Sequence, residues 1–515
     1  MKTATRLTPS GPIIGLETEQ GQVYKGIPFA TPPVGDLRFR APQAVTWQRP
    51  LEATQFKKAA MQVSNAFSPV GETSEDCLYL NVWAPAKQSG SDTTKPVLVW
   101  LHGGSFLTGA GSMAMYHGDS LAQNENVIVV TLNYRLGAFG FVHWSVLDDN
   151  FNGDTNLGLR DILCSLQWIQ DNIEAFGGDP DNVTVFGESA GAIALACLIT
   201  SPLRDGLFRR AIIQSGTPDQ VISKSAAEKV CHALLNELQI DKHSLNQLRA
   251  VPASKLLDAQ QVCQKMSVQR GEHPVKLPLF EATMSPLFGD DLLPKPPLAA
   301  LAEGAANNLD IIAGTMLNEW DLFLRLKRGE PCVTQNPKYQ QLDEVDLLKL
   351  FQRGLPDHAQ KALDFYRSTR DYGESGAALL AVYSDFESDR TFNIPTFSLA
   401  EAQARIDRPI YHYEITWDAG MFGAAHGADI PLTFGKLEGA YAKMFCGEAM
   451  GLQTFSQQLQ HLWCSFAETG IPTCPSMMDW PVYTLDTRHT LLLGTTNDLV
   501  RDRKLAELEF WQSYF

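Results

Sequence analysis

Apolar positions along this chain fall in short continuous runs separated by amphipathic stretches. The runs are Val97–Leu101, Val127–Leu132, Val183–Phe186, Ala211–Gln214, Ile311–Ala313, Ile410–Ile415 and Leu491–Leu493. A run that is apolar on both sides suits a strand covered on both faces, so the pattern predicts a mostly parallel sheet flanked by helices. Ile13 to Phe29 alternates instead, which predicts an antiparallel hairpin turning at Glu19-Gln20-Gly21-Gln22. Asn156–Phe176 reads as an amphipathic helix and Lys504–Tyr514 as a C-terminal one. From about 218 to 305, and again from about 321 to 405, the pattern turns helical and loop-like. These two stretches are expected to be insertions between strands, folding as a cap beside the sheet. No low-complexity linker or repeat interrupts the chain, so residues 1–515 read as a single α/β unit.

Composition narrows the classes further. With 515 residues the chain can bury a large core, and 44% hydrophobic with 19% charged residues suits a soluble globular protein. A net charge of −16 without any basic stripe excludes nucleic acid as a partner. The N-terminal segment lacks the apolar core of a secretory signal, and no apolar run is long enough to span a membrane. The nine cysteines are scattered, and none has C-x-x-C spacing, so metal ribbons and thioredoxin chemistry are not expected. Cys164 and Cys197 sit on apolar faces as small core residues, and a reducing, cytoplasmic location follows. Oligomeric state is left open.

The chemistry is concentrated in Gly187-Glu188-Ser189-Ala190-Gly191. The strand Val183–Phe186 precedes this G-x-S-x-G segment, and a helical run begins at Ala190. A strand passing into a helix through one residue forces a sharp turn there, and flanking glycines remove the side chains that would collide. A serine hydroxyl is then raised above the sheet at a helix N-terminus, the setting of a nucleophile.

A serine needs a base, and the base needs an orienting carboxylate. In the α/β-hydrolase arrangement these follow the serine in the order acid, then histidine. Ile311–Ala313 runs into a loop carrying Glu319, and His426 stands in the small-residue loop Gly423-Ala424-Ala425-His426-Gly427. Val97–Leu101 leads into His102-Gly103-Gly104, whose backbone N–H groups at Gly103 and Gly104 would join that of Ala190 in an oxyanion hole.

The chain here resembles the type-B carboxylesterase family, which includes cholinesterases and bacterial para-nitrobenzyl esterases. The resemblance rests on Gly26-Ile27-Pro28-Phe29-Ala30, Gly35-Asp36-Leu37-Arg38-Phe39 and Glu75-Asp76-Cys77-Leu78-Tyr79-Leu80-Asn81-Val82. It continues through His102-Gly103-Gly104, Asn133-Tyr134-Arg135, residues 176–191 and Gln214-Ser215-Gly216, nearly the whole length. It implies an α/β-hydrolase fold and a serine esterase acting on short- to medium-chain or aryl esters, with Ser189 as nucleophile, Glu319 as acid and His426 as base. The chain departs from the family at three points. Cys77 lacks the upstream cysteine that pairs with it in secreted relatives, Trp320 replaces a glycine after the acid, and Asp429 replaces a glutamate three past the histidine. Trp320 either reshapes the pocket or packs in the core, and packing is favoured.

Some residues have plainer readings. Glu188 is expected to be a structural carboxylate in a buried hydrogen-bond network, and Ser215 to hydrogen-bond the Glu319–His426 pair. Asp179 and Arg160 are expected to be ion-pair partners that stabilise the fold. Gly109-Ala110-Gly111-Ser112-Met113-Ala114 fits G-x-G-x-x-A but does not open a helix directly after a strand, so a dinucleotide site is rejected. No clustered His/Asp/Glu ligand set occurs, and neither metal nor other cofactor is expected. A lipase would need an amphipathic, aromatic-rich lid, which does not stand out. A non-catalytic adhesion protein would have lost triad members.

Overall fold

The computed structural model describes residues 2–64, 69–86, 93–148, 151, 153–271, 278–280, 283–325, 342–373 and 375–514. A thirteen-stranded sheet runs through the molecule. Its strands are β1 (Lys2–Thr8), β2 (Gly11–Thr18), β3 (Gly21–Pro28), β4 (Tyr79–Ala84), β5 (Lys95–Leu101) and β6 (Ile128–Leu132). They continue with β7 (Gly178–Glu188), β8 (Arg210–Gln214), β9 (Asp310–Met316), β10 (Ile410–Ile415), β11 (Thr490–Leu493) and β12 (Asp498–Val500). Leu51–Glu52 adds a short strand beside β2. The spatial order is β1-β2-β3-β4-β6-β5-β7-β8-β9-β10-β11-β12. From β6 through β11 every neighbouring pair is parallel, and the two outer margins are antiparallel apart from Leu51–Glu52, which runs parallel to β2.

Each of the seven apolar runs lies in one of these central strands, buried because helices cover both faces. On one face α1 (Leu157–Asn172) buries Leu159, Ile162, Leu166 and Ile169, spaced three and four apart, against the sheet. On the other, Leu459 and Trp463 of a long helix (Leu452–Thr469) pack with Trp100, Phe186 and Tyr413. The opening hairpin is β2 and β3, turning at Glu19-Gln20. The sequence pattern does not reveal β1, β4 or β12. As an outer strand, β1 leaves residues such as Leu7 exposed, so burial imposes no apolar alternation on it.

Both expected insertions are rich in helix. The first contains α2 (Lys224–Leu238) and α3 (Ala253–Cys263). The second contains α4 (Glu344–Gly354), α5 (Ala359–Thr369), α6 (Gly376–Ser388) and α7 (Ile394–Arg405). Leu234, Leu256, Phe351, Leu363 and Phe386 on these helices join the same buried cluster as Ile213 and Ala313 of the sheet. The C-terminal helix, Leu505–Trp511, packs Trp511 into that cluster as well.

Register brings the functional segments together. Gly187 pairs with Leu101 on one side and Ile213 on the other, and Glu188 pairs with Gln214. The loops after β5, β7 and β8 therefore leave the sheet side by side at its C-terminal edge. Chain order reverses at this point, where β5 lies between β6 and β7, and open α/β sheets hold their sites at such a switch.

The strand-to-helix crossing is tight. A Cβ on Gly191 would overlap Leu101 O and lie 2.7 Å from His102 O, and one on Gly187 would lie 2.8 Å from Gly191 C and 2.9 Å from Leu101 O. Leu101 O belongs to β5 and His102 O accepts a hydrogen bond from Tyr134 Oη, so both are fixed in place. Gly191→Ala should therefore lose about 3 kcal/mol of stability in chemical denaturation. Gly71→Ala, where a Cβ would meet nothing within 4 Å, should change it by less than about 0.5 kcal/mol. Equal stability of the two variants would refute the crossing as a constraint.

Candidate active site

Ser189 follows β7 with φ 54° and ψ −126°, a conformation that a non-glycine residue holds only under constraint. Its N–H donates to Gln214 O (3.0 Å), while its carbonyl accepts Ile193 N–H (2.8 Å) in the first turn of the helix Ala190–Leu198. Both ends of the turn are thus held. The side chain is only half-buried, and it stands beside the helix N-terminus.

The loop after β5 is fixed by aromatic and polar contacts. Tyr134 Oη donates to His102 O (2.7 Å), and the two rings stack at 4.5 Å. His102 Nδ1 lies 2.8 Å from Gly103 O, and burial lowers its imidazole to about 4, so it is neutral. Gly104 has φ +110°, and its carbonyl accepts the N–H groups of Leu107 and Thr108. Gly103 borders the elbow so closely that a Cβ there would lie 3.0 Å from Ser189 Cβ and 2.7 Å from Glu188 Oε2. The backbone N–H groups of Gly103, Gly104 and Ala190 donate to no acceptor among the described residues. Such donors can serve a developing oxyanion.

Glu319 and His426 arrive from the loops after β9 and β10. Asn318 N–H donates to Ala424 O (2.9 Å), and Asn318 bridges to Ala425, which draws those loops together. The fully buried Glu319 accepts Met316 N–H at Oε1 (2.8 Å) and places Oε2 2.7 Å from His426 Nδ1. That contact fixes the imidazole's orientation and leaves Nε2 on the far side. The ring packs against Phe392 (4.6 Å between centroids) and Phe323 (5.1 Å), which also lie against each other.

Nε2 lies 3.1 Å from Glu188 Oε1, although neither atom has a hydrogen-bond partner among the described residues. Glu188 therefore lies beside the base without the hydrogen-bond network expected from the sequence. Its place directly before Ser189, in register with Gln214, aims it across the elbow. Burial lowers the basicity of His426, but Glu188, Glu319 and Asp429 more than reverse this and raise it to about 9. Burial raises the Glu188 carboxyl to about 8 and Asp429 to about 6.

Ser215 also differs from expectation. It is buried, but its Oγ makes no hydrogen bond among the described residues, and Glu319 is instead held by Met316 N–H and paired with His426 Nδ1. Its neighbour Gln214, not singled out in the sequence, donates from Nε2 to Asp429 Oδ2 (2.6 Å) and reaches Thr433 Oγ1 (3.2 Å). The Gln214-Ser215-Gly216 motif marks the segment but does not tell which of its residues makes the contact. Trp320 packs against the main core, as favoured, with its backbone N–H donating to Ser388 Oγ (3.0 Å) and its ring 4.7 Å from Phe323 between centroids.

The plainer residues are equally clear. Cys77 is a buried free thiol that burial holds protonated. Arg160 forms the expected ion pair, with Asp291, whereas Asp179 accepts Asp181 N–H (3.0 Å) in a turn. Gly109–Ala114 enters no helix of its own directly after a strand, and Gly111 N–H is taken by Asn133 Oδ1 (2.9 Å).

Comparison with known proteins identifies the family. Residues 2–511 match the carboxylesterase family. The para-nitrobenzyl esterase of Bacillus subtilis is 35% identical over 494 residues, 94% of either chain. The acetylcholinesterase of Bungarus fasciatus is 31% identical, covering 98% of this chain and 86% of the relative. Among solved structures, a para-nitrobenzyl esterase superposes with a TM-score of 0.81 at 33% identity over 99% of both chains. A Geobacillus stearothermophilus carboxylesterase reaches 0.85 at 31% identity, covering 99% of this chain and 100% of that one. The chain has the α/β-hydrolase fold and belongs to the carboxylesterase family, and it is a carboxylic ester hydrolase.

Proposed function

We propose that Ser189, His426 and Glu319 hydrolyse short- to medium-chain or aryl carboxylic esters through an acyl-enzyme. The observation that carries this reading is the 2.7 Å Glu319–His426 contact beside the strained Ser189 elbow. Ser189 Oγ attacks the carbonyl carbon of the bound ester as its proton passes to His426 Nε2. The carbonyl oxygen becomes an oxyanion held by the N–H groups of Gly103, Gly104 and Ala190, each worth about 3 kcal/mol in the transition state. The C–O bond breaks as the leaving alcohol takes the proton from Nε2. Water, deprotonated by His426, then attacks the acyl carbon, and the acyl–Oγ bond breaks as Nε2 returns the proton to Oγ, releasing the acid and restoring Ser189.

The chain acts as one unit, residues 1–515, with the insertions at 218–305 and 321–405 forming a cap that walls the pocket. Eight described cysteines stand as free thiols, while Cys332 lies outside the described residues. Free thiols support a reducing, cytoplasmic location. Among the described residues no helix is long and apolar enough to cross a membrane.

Ser189→Ala should lower kcat for a short p-nitrophenyl ester by about 10⁴–10⁶-fold while circular dichroism is unchanged. A near wild-type rate would contradict the assignment. Glu188→Gln tests the charge beside the base. Removing a negative charge next to the imidazole destabilises the imidazolium, so the neutral base persists to lower pH. The acid limb of the kcat/KM profile should move down by about 1–3 pH units. An unmoved limb, or one shifted upward, would show that Glu188 does not set the titration of His426.

A further inference from the structure

We propose that Arg270 is a positioning residue that sets ester size selectivity by holding Phe392 against His426, an inference that rests on His426 being the base. Between α6 and α7 the chain makes one widened helical turn, Asp389–Asn393, with Ile394 N–H donating five residues back to Asp389 O. Such turns displace a side chain relative to a regular helix and recur at functional sites. Here the displaced segment carries Phe392, whose ring lies 4.6 Å from the imidazole and 6.0 Å from Phe323 between centroids.

Pro395 makes this turn dependent on outside donors. It stands four residues after Thr391 and five after Arg390, where an α-turn and a widened turn would respectively supply an N–H, and proline has none. Arg270 supplies donors to both carbonyls. Its Nη1 donates to Arg390 O (2.8 Å) and its Nη2 to Thr391 O (3.4 Å). Asp219, 2.5 Å from Nη2, fixes the guanidinium, and both side chains are buried. A planar fork can serve two carbonyls and a carboxylate together, whereas a lysine ammonium on a shorter reach cannot. Arg270 thus ties the first insertion to the turn in the second that walls the base.

The test compares wild type, Arg270→Lys, Phe392→Ala and the double variant. One ester series varies the acyl chain on p-nitrophenol, and a second varies the alcohol on acetate. The measured quantity is the ratio of kcat/KM for the large ester to that for the small ester. Loss of folded enzyme cancels from that ratio, so a merely structural role would not move it. Phe392→Ala should raise the ratio about tenfold in one series. Arg270→Lys should raise it in the same series and direction by at least threefold, and the double variant should go no further than Phe392→Ala. Ratios unchanged in Arg270→Lys, ratios unchanged in Phe392→Ala, or shifts that multiply in the double variant would each overturn the proposal. A fluorophosphonate probe applied to the wild type separates this from the reading beneath it. Failure to label Ser189 would remove the catalytic assignment, whereas flat ratios in a labelled enzyme would remove only the role of Arg270.

Discussion

The close crossing of β7 and its following helix over the end of β5 is the constraint on which the rest of the site depends. Gly187 and Gly191 let the helix start within contact distance of Leu101 O and His102 O. That proximity places the loop after β5 against Ser189, so nucleophile and backbone donors share one scaffold. The crossing also holds Ser189 in a conformation it would not adopt alone, and the hydrogen bond from its N–H to Gln214 O secures it. A looser crossing would separate the hydroxyl from the donors by about an ångström, enough to cost about 10²-fold in rate.

Electrostatics forms a second layer on this frame. Three buried carboxylates, Glu188, Glu319 and Asp429, surround a single imidazole. Only Glu319 makes a hydrogen bond to it, at Nδ1, which orients the ring. Glu188 stabilises the charge that His426 acquires when it takes the Ser189 proton, and the two titrate as a pair. Asp429 is held by Gln214, so the shorter side chain at this position still finds a buried partner. The apolar rings of Phe323 and Phe392 pack against the imidazole and lower the local dielectric in which it meets Glu319.

Much of this was readable from the chain because strong constraints leave local marks. A strand buried on both faces must be apolar throughout, and so the seven central runs stood out. A turn that admits no Cβ must be glycine, and this marked the elbow at Gly187 and Gly191 and the loop at Gly103 and Gly104. The outer strand β1 was not readable, since an edge strand half in solvent carries no required pattern. Neither was the environment of His426. Whether Glu188 points into a network or across to Nε2, and whether Ser215 or Gln214 carries the polar contact, depends on side-chain direction at strand ends that sequence spacing does not encode. The same holds for Phe392, which a widened turn in a distant insertion brings to the base.

The most direct measurement of the central claim is a rapid-mixing experiment with a p-nitrophenyl ester, followed by mass spectrometry of the quenched enzyme. A Ser189 acyl-enzyme predicts a burst of up to one p-nitrophenolate per enzyme when deacylation is the slower step. It also predicts one acyl group on the peptide that contains Ser189. An acyl group carried on any other residue, with Ser189 unmodified during turnover, would contradict the account.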